Sequence, residues 1–299
     1  MSSPLVAAVI LNTNRKEDTL ACLESLQRSD YPNLVILVLD NACTDGSSEA
    51  VRALFPAVKI IPLIENRGYA GNNNVGIQTA LELGCQWVFV LNEDIVLASD
   101  AITNLVQFGE SNPKIGILGP LVFHHNEPDV IQSAGGKMTP RWQAYHIGQN
   151  EPDAGQFSIP TKMDWISGCA ILVRASVIRQ IGALDERFFY YWEETEWCLR
   201  TSKAGWQIWL VPQAKIWHKG VQRNYQPSPN VTYYATRNRL LALAKHHAPL
   251  AAWWDAHYTA LRTWLSWSLK KKWQHKRPHR DALCQGFLDF YRQRWGMRR

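Results

Sequence analysis

Five short, mostly apolar runs alternate with helical patterns through the first 120 residues, and this alternation constrains the fold more than any other feature. The runs are Leu5–Leu11, Leu34–Leu39, Val58–Ile64, Trp87–Leu91 and Ile115–Val122. Between them, Asp18–Arg28, Ser47–Phe55, Asn72–Leu83 and Ala98–Phe108 place apolar residues at helical spacing, as with Leu20, Leu23 and Leu26. Apolar strands alternating with helices predict an α/β fold, with a mostly parallel sheet covered by helices on both faces. Right-handed crossovers bring the strand C-termini to one rim, and open α/β sheets bind ligands at that rim.

That rim is predicted to be polar. The first strand runs into Asn12-Thr13-Asn14-Arg15, and the second ends in Asp40-Asn41, followed by Thr44-Asp45-Gly46. The third is followed by Asn66-Arg67-Gly68-Tyr69-Ala70-Gly71-Asn72-Asn73-Asn74, and the fourth ends in Asn92-Glu93-Asp94. Each alone is as well explained by capping and turn chemistry. Four in succession on one edge point to a ligand. Glu93 and Asp94 offer carboxylates suited to a hard divalent cation, which in turn suits a diphosphate. Asp40 is placed to accept hydrogen bonds from a ribose or a base. Gly68 and Gly71 lead into a helix N-terminus, where backbone N–H groups favour anions. Neither a GxGxxG nor a GxxxxGK[ST] pattern occurs, so a Rossmann dinucleotide site and a P-loop are unsupported.

Beyond residue 122 the pattern weakens, and 123–162 reads as a loop-rich insertion. Met163–Val173 and Gln207–Val211 are predicted strands; Thr195–Ala204, Asn230–His247 and Leu250–Leu269 are predicted helices. A second acidic cluster, Asp185-Glu186-Arg187-Phe188-Phe189-Tyr190-Tyr191-Trp192-Glu193-Glu194-Thr195-Glu196, sets carboxylates among aromatics. Water exclusion there raises a carboxylate pKa and suits a general base, although a Glu-rich helix start also suits the helix dipole. His218, in Trp217-His218-Lys219, is either structural or a metal ligand.

These residues, in this order, resemble family-2 glycosyltransferases over residues 5–247, nearest to the rhamnosyltransferase-like and galactofuranosyltransferase-like branch. The resemblance rests on Asn12-Thr13-Asn14, Asp40 to Gly46, Asn66 to Asn73, Leu91-Asn92-Glu93-Asp94, Ser167-Gly168-Cys169, Trp192 to Glu196 and Trp217-His218-Lys219. It implies a GT-A fold, a nucleotide-diphospho-sugar donor (dTDP- or UDP-linked), inversion at the anomeric carbon and a Mg²⁺ or Mn²⁺ cofactor. By the same resemblance, Asp40, Asn41, Asn12, Asn14, Asn66, Gly68 and Asn73 surround the nucleotide, and Asn92 and Glu93 flank the diphosphate and sugar. Asp94 and His218 would hold the metal, and Glu194 is the implied base with Glu193 beside it. Two departures stand out. Asn92 fills a place where a carboxylate often stands, and Trp192-Glu193-Glu194-Thr195-Glu196 replaces the commoner Trp-Glu-Asp-x-Asp. The lengthened side chain leaves Glu194 and Glu193 both open as the base. The implied acceptor is a cell-surface polysaccharide or its lipid-linked precursor. Two other readings are a sugar nucleotidyltransferase, which lacks its Gly-rich triphosphate loop here, and a catalytically silent nucleotide-sugar-binding or membrane-binding protein.

Charge separates body from tail. Residues 261–299 carry eleven Lys/Arg and two Asp, a net of +9, whereas the other 260 residues carry 21 basic and 24 acidic groups, a net of −3. The expected division is 1–247 as the catalytic domain, with 1–122 binding nucleotide and 123–247 facing the acceptor, and 248–299 as a basic helical tail. Residues 250–299 hold six of the fourteen tryptophans. Such a tail either docks on an anionic membrane surface or packs on the catalytic domain or a second subunit, giving a homo-oligomer. Nucleic acid is not an expected partner, since no nucleic-acid motif accompanies the charge. No apolar run approaches the length of a spanning helix. Six cysteines without CxxC spacing and no secretory leader predict reduced thiols and a cytoplasmic protein, peripheral on the inner face of the membrane.

Overall fold

The structure is a computed structural model that describes residues 3–220 and 222–299. The predicted alternation is present, with β1 (Val6–Asn12), α1 (Lys16–Gln27), β2 (Leu34–Asp40), α2 (Ser47–Leu54), β3 (Lys59–Pro62), α3 (Gly68–Glu82) and β4 (Trp87–Asn92) in that order. The four strands pair in parallel in the spatial order β4-β1-β2-β3. Every residue of β1 is buried, which accounts for its unbroken apolar character. α3 starts at Gly68, earlier than its apolar spacing indicates, because its first turn is Gly68-Tyr69-Ala70-Gly71 and three asparagines follow.

After β4 the chain reverses at Glu93-Asp94 into the short β5 (Ile95–Leu97), and α4 (Ala101–Glu110) then leads to β6 (Ile115–His124). The weakly patterned segment forms small antiparallel pieces: β7 (Glu127–Ser133), β8 (Gly136–Met138), β9 (Ala144–His146) and β10 (Thr161–Lys162). β11 (Ala170–Arg174) inserts antiparallel between β4 and β6. α5 (Ala175–Ile181) and α6 (Glu193–Lys203) precede β12 (Gln207–His218), which runs parallel to β6. The ten-stranded sheet is therefore mixed but mostly parallel, and apolar clusters line both of its faces.

Two predicted strands differ in extent. Only the end of Met163–Val173 is strand. Met163, Trp165 and Ile166 are apolar because they pack onto glycines: a Cβ on Gly119 would lie 2.3 Å from Ile166, one on Gly136 2.0 Å from Trp165 and one on Gly135 2.7 Å from Met163. β12 is longer than predicted. Pro212 marks an apparent stop, but the ladder shifts register between Val211 and Lys215 and continues to His218.

α7 (Pro229–Lys245), α8 (Leu250–Leu269) and α9 (Arg277–Tyr291) complete the chain. α7 packs along α9, and the inner side of α8 buries Ala252 and Ala256 in a small core with Leu240, Leu243, Trp142 and Phe290. All six cysteines are free. Among the described residues no helix is long and apolar enough to cross a membrane.

Candidate active site

The parallel strands deliver Asn12, Asp40, Asn92, His124 and His218 to one rim, where a cleft of about 660 Å³ opens. Of the residues singled out from sequence, Asn41, Asn66, Gly68, Asn92, Glu93, Asp94, Glu193, Glu194 and His218 line it. Asn12, Asn14, Asp40 and Asn73 do not; the first three make side-chain hydrogen bonds within the protein, whereas Asn73 uses only its Nδ2 and leaves Oδ1 buried without a partner among the described residues. Asn12 is fully buried, donates to Ser47 Oγ (2.8 Å) and accepts from Thr19 Oγ1 (3.1 Å), fastening the end of β1 to α1 and α2. Asn14, at φ 61°, accepts from Thr44 N–H (2.7 Å) and shapes the 41–46 loop. Asn73 donates to Tyr69 O inside α3. Asp40 accepts from Ser48 Oγ (2.6 Å) and Cys43 N–H (2.9 Å). Burial pushes its pKa up, but these hydrogen bonds outweigh burial and keep it below its ordinary value.

The glycine loop is also less open than its sequence indicates. At the start of α3, Arg67 N–H donates to Asn72 Oδ1, Gly68 N–H to Asn66 Oδ1 and Ala70 N–H to Phe189 O, so these amides are already paired. Gly68 sits at φ +73°, and a Cβ there would lie 2.3 Å from Phe189 O. Its absence of a side chain lets the 185–192 segment close over α3.

Asp94 and His218 meet through strand register. β5 folds back against the end of β12, pairing Ile95 with His218. His218 Nε2 then lies 3.1 Å from Asp94 Oδ1. His218 donates from Nδ1 to Gln132 Oε1 (2.7 Å), which turns Nε2 toward the carboxylate. Asp94 Oδ1 is buried without a hydrogen-bond partner, so the pair is complete only with a proton or a cation between its two atoms. Gly220 leaves space for one: a Cβ there would lie 2.4 Å from Asp94 Oδ2 and 3.2 Å from His218 Nε2. Among the described residues no third His, Cys, Asp or Glu joins a metal-ligating group. One carboxylate and one imidazole fit a divalent cation, which would need further oxygen ligands such as those of a diphosphate.

Arg15, to which the sequence assigned no role, donates from Nη1 to Asp94 Oδ2 (2.6 Å). Burial pushes Asp94 up, but His218 and Arg15 outweigh it and hold the carboxyl below its ordinary value. Glu93 behaves oppositely. Burial raises its pKa, although Thr13 Oγ1 donates to it.

The other wall is the start of α6. Three carboxylates sit on its first turn, and their partners separate them. Glu196 is fully buried and takes Arg200 (2.9 Å), Lys245 (3.0 Å) and His246 (3.0 Å). Burial pushes it up, but those partners bring it below its ordinary value. Among the described residues Glu193 and Glu194 have no such cations. Burial, then the charge of Glu194, keeps Glu193 well above the ordinary range, and its Oε2 has no hydrogen-bond partner. Burial pushes Glu194 up to about 7. The two carboxyls titrate as a pair that burial raises, with Glu193 held higher than Glu194.

The loop presenting this pair is strained. Phe189, Tyr191 and Trp192 have φ of 63°, 67° and 78°, each costing about 1–3 kcal/mol. Two buried residues of α7 hold it. Asn238 Nδ2 shares its hydrogens among Phe188 O (2.7 Å), Tyr190 O (2.8 Å) and Tyr191 O (2.7 Å). Arg237 Nη2 donates to Arg187 O (3.1 Å) and Phe188 O (3.0 Å). Nothing local in the sequence marks these two as partners of a loop some 50 residues away.

The model of Glycosyl transferase family 2 matches residues 7–182. An N-acetylglucosaminyl-diphospho-decaprenol L-rhamnosyltransferase of Mycobacterium tuberculosis is 29% identical over 262 residues, covering 78% of this chain and 81% of that protein. The dTDP-rhamnosyl transferase RfbF of Shigella flexneri is 24% identical over 258 residues, covering 84% and 83%. In three dimensions the chain is similar to a mannosyltransferase from Pyrobaculum calidifontis in complex with GDP-Man and Mn²⁺, with a TM-score of 0.61 at 15% identity over 97% of this chain and 88% of that one. The fold is thus GT-A-like, and the helices α7, α8 and α9 end the chain. With a matched family model over more than half its length, this chain belongs to glycosyltransferase family 2 and is an enzyme that transfers a sugar from a nucleotide-sugar donor.

Proposed function

We propose that this chain is an inverting, divalent-cation-dependent transferase that moves rhamnose from a dTDP- or UDP-linked donor to a hydroxyl of a lipid-linked glycan or growing polysaccharide. One observation carries the reading: Glu194, a carboxyl near neutrality with no cationic partner among the described residues, shares a cleft with the Asp94–His218 pair. The rhamnose and the lipid-linked acceptor are supported by the two rhamnosyltransferase relatives.

Asp94 and His218 would hold the cation, with Arg15 and Gln132 keeping them oriented. When bound, the cation offsets the negative charge that builds on the departing nucleoside diphosphate. Glu194 takes the proton of the acceptor hydroxyl. The freed oxygen pair attacks the anomeric carbon from the face opposite the diphosphate, and the old C–O bond leaves with its electrons on the diphosphate. Glu193, kept protonated, limits negative charge beside the base. Tyr190, Tyr191, Trp192 and Tyr225 form an aromatic wall on which the acceptor sugar can stack. A second cavity of about 440 Å³ shares Asn66, Phe189, Tyr190 and Tyr225 with the cleft and extends toward Met297 and Arg298, leaving room for more of the acceptor.

The test is a panel of nucleotide sugars given to the enzyme with a polyprenyl-diphosphate-linked N-acetylglucosamine acceptor. Released nucleoside diphosphate is scored with Mg²⁺, with Mn²⁺ and with chelator. Transfer from dTDP-rhamnose that chelator abolishes is the expected result. Equal release with chelator overturns the cation, and release only from another sugar overturns the rhamnose.

A further inference from the structure

α8 has two faces with different fates. Its inner side packs on α7, α9 and Trp142. Its outer side exposes Leu250 (86%), Trp254 (74%), Tyr258, Leu261, Leu265 and Leu269 (76%). At about 100° per residue these six fall within an arc of about 100°, a continuous apolar stripe along the helix. Tyr291 of α9 extends the stripe, because its hydroxyl meets His257 Nε2 at 2.5 Å. Six apolar side chains aligned on one exposed face are unusual for a surface facing only water.

The charges around the stripe indicate what covers it. Lys270, Lys271 and Lys272 follow directly from its end, and Arg262 lies beside it; all four are exposed, and none forms an ion pair among the described residues. The acids of this region are already taken: Asp255 by Arg239 and Arg141, Asp281 by Arg280, and Asp289 by Tyr233. A second copy would bring another segment of net +9 against this one with no counter-charge to meet it. An anionic lipid surface supplies that counter-charge and the apolar layer together, and Trp254 and Tyr258 are side chains that favour such an interface.

We propose that the outer face of α8, with the basic run Lys270–Lys272, docks this protein on an anionic lipid bilayer. The stripe lies parallel to the membrane plane, inserted to the depth of its side chains and not spanning. This inference is independent of the sugar and acceptor proposed above, since it concerns plain lipid.

The test is co-sedimentation of the full chain with vesicles of phosphatidylcholine and phosphatidylglycerol at 70:30, against pure phosphatidylcholine. Binding to the anionic vesicles is expected to be at least tenfold stronger, and to fall at least tenfold between 0.1 M and 0.5 M salt. L261E/L265E and K270E/K271E/K272E should each lose at least tenfold. Both should keep the wild-type melting temperature and donor hydrolysis, because the residues are exposed and distant in sequence from the cleft. Equal binding of wild type and both variants overturns the proposal, as does equal binding to neutral vesicles. A wild-type dimer by light scattering that L261E/L265E splits into monomers, without vesicle binding by either, assigns the stripe to a second copy instead.

Discussion

His218 Nε2 stands 3.1 Å from Asp94 Oδ1, two residues 124 positions apart joined by the register of β5 on β12. Asp94→Ala or His218→Ala should remove cation-dependent transfer. We expect kcat/KM to fall by about 10²-fold or more, corresponding to roughly 3 kcal/mol of lost transition-state stabilisation. Melting in the absence of cation should change little, and the thermal shift that Mn²⁺ plus nucleoside diphosphate gives the wild type should vanish. Retention of that shift in both variants would rule out this pair as the cation site.

Gly220→Ala tests the same site without removing a ligand. The added methyl carbon would lie 2.4 Å from Asp94 Oδ2, so it should fill the space reserved for the cation. We expect activity to fall at least tenfold and half-saturating Mn²⁺ to rise by a similar factor. An unchanged Mn²⁺ titration would show that the backbone at 220 does not border the bound ion.

Glu194→Gln should lower kcat by about 10²–10⁴-fold while donor binding, measured by calorimetry, stays within about twofold. Glu193→Gln should be milder, since the residue it mimics is already the protonated acid. The wild-type rate should rise with pH through about 7, because the base works only when deprotonated. A deadlier Glu193→Gln would transfer the role by one residue.

The same titration affects stability. The folded pKa of Glu194 is raised to about 7 from an ordinary carboxyl value, so the folded state binds the proton more tightly than the unfolded state. Its favourable contribution is present in acid and is lost as pH rises from about 4.5 to about 7. Glu194→Gln should therefore gain on the order of 1–2 kcal/mol at pH 8, or about 2–6 °C in melting temperature, with no gain at pH 4. A pH-independent difference in melting temperature would contradict the raised pKa.

Asn238→Ala should uncouple the catalytic loop. It leaves the carbonyls of Phe188, Tyr190 and Tyr191 without their shared donor, a loss of about 2–4 kcal/mol in stability. Because these bonds hold the turn that presents Glu194, kcat should fall more than donor affinity. Equal losses in both would make Asn238 a purely structural residue.

Glu193, Glu194 and Glu196 show where local sequence stops. All three are legible as an acidic helix start, and Arg200 is a local i,i+4 partner of Glu196, yet only packing adds Lys245 and His246 to Glu196 and leaves the other two without a cation among the described residues. Asn12 and Asn73 show the converse. They occupy the expected rim motifs, but Asn12 is spent on Ser47 and Thr19, and the Nδ2 of Asn73 on Tyr69 O. The tail behaves likewise: its tryptophans and charge are visible in the sequence, while which side of α8 is covered depends on α7 and α9.

The sequence by itself determined the mostly parallel α/β framework and the polar rim, and it marked Asp94, Glu194 and His218 as candidates. Periodicity and strand ends are local properties, carried by neighbours a few positions apart. The tertiary structure alone decided that His218 faces Asp94 Oδ1, that Gly220 leaves room beside them, that Arg15 holds the other oxygen of Asp94, Oδ2, and that Asn238 clamps the loop before Glu194. Those contacts span about 50 to 125 residues and follow from sheet register and burial, which no local pattern encodes.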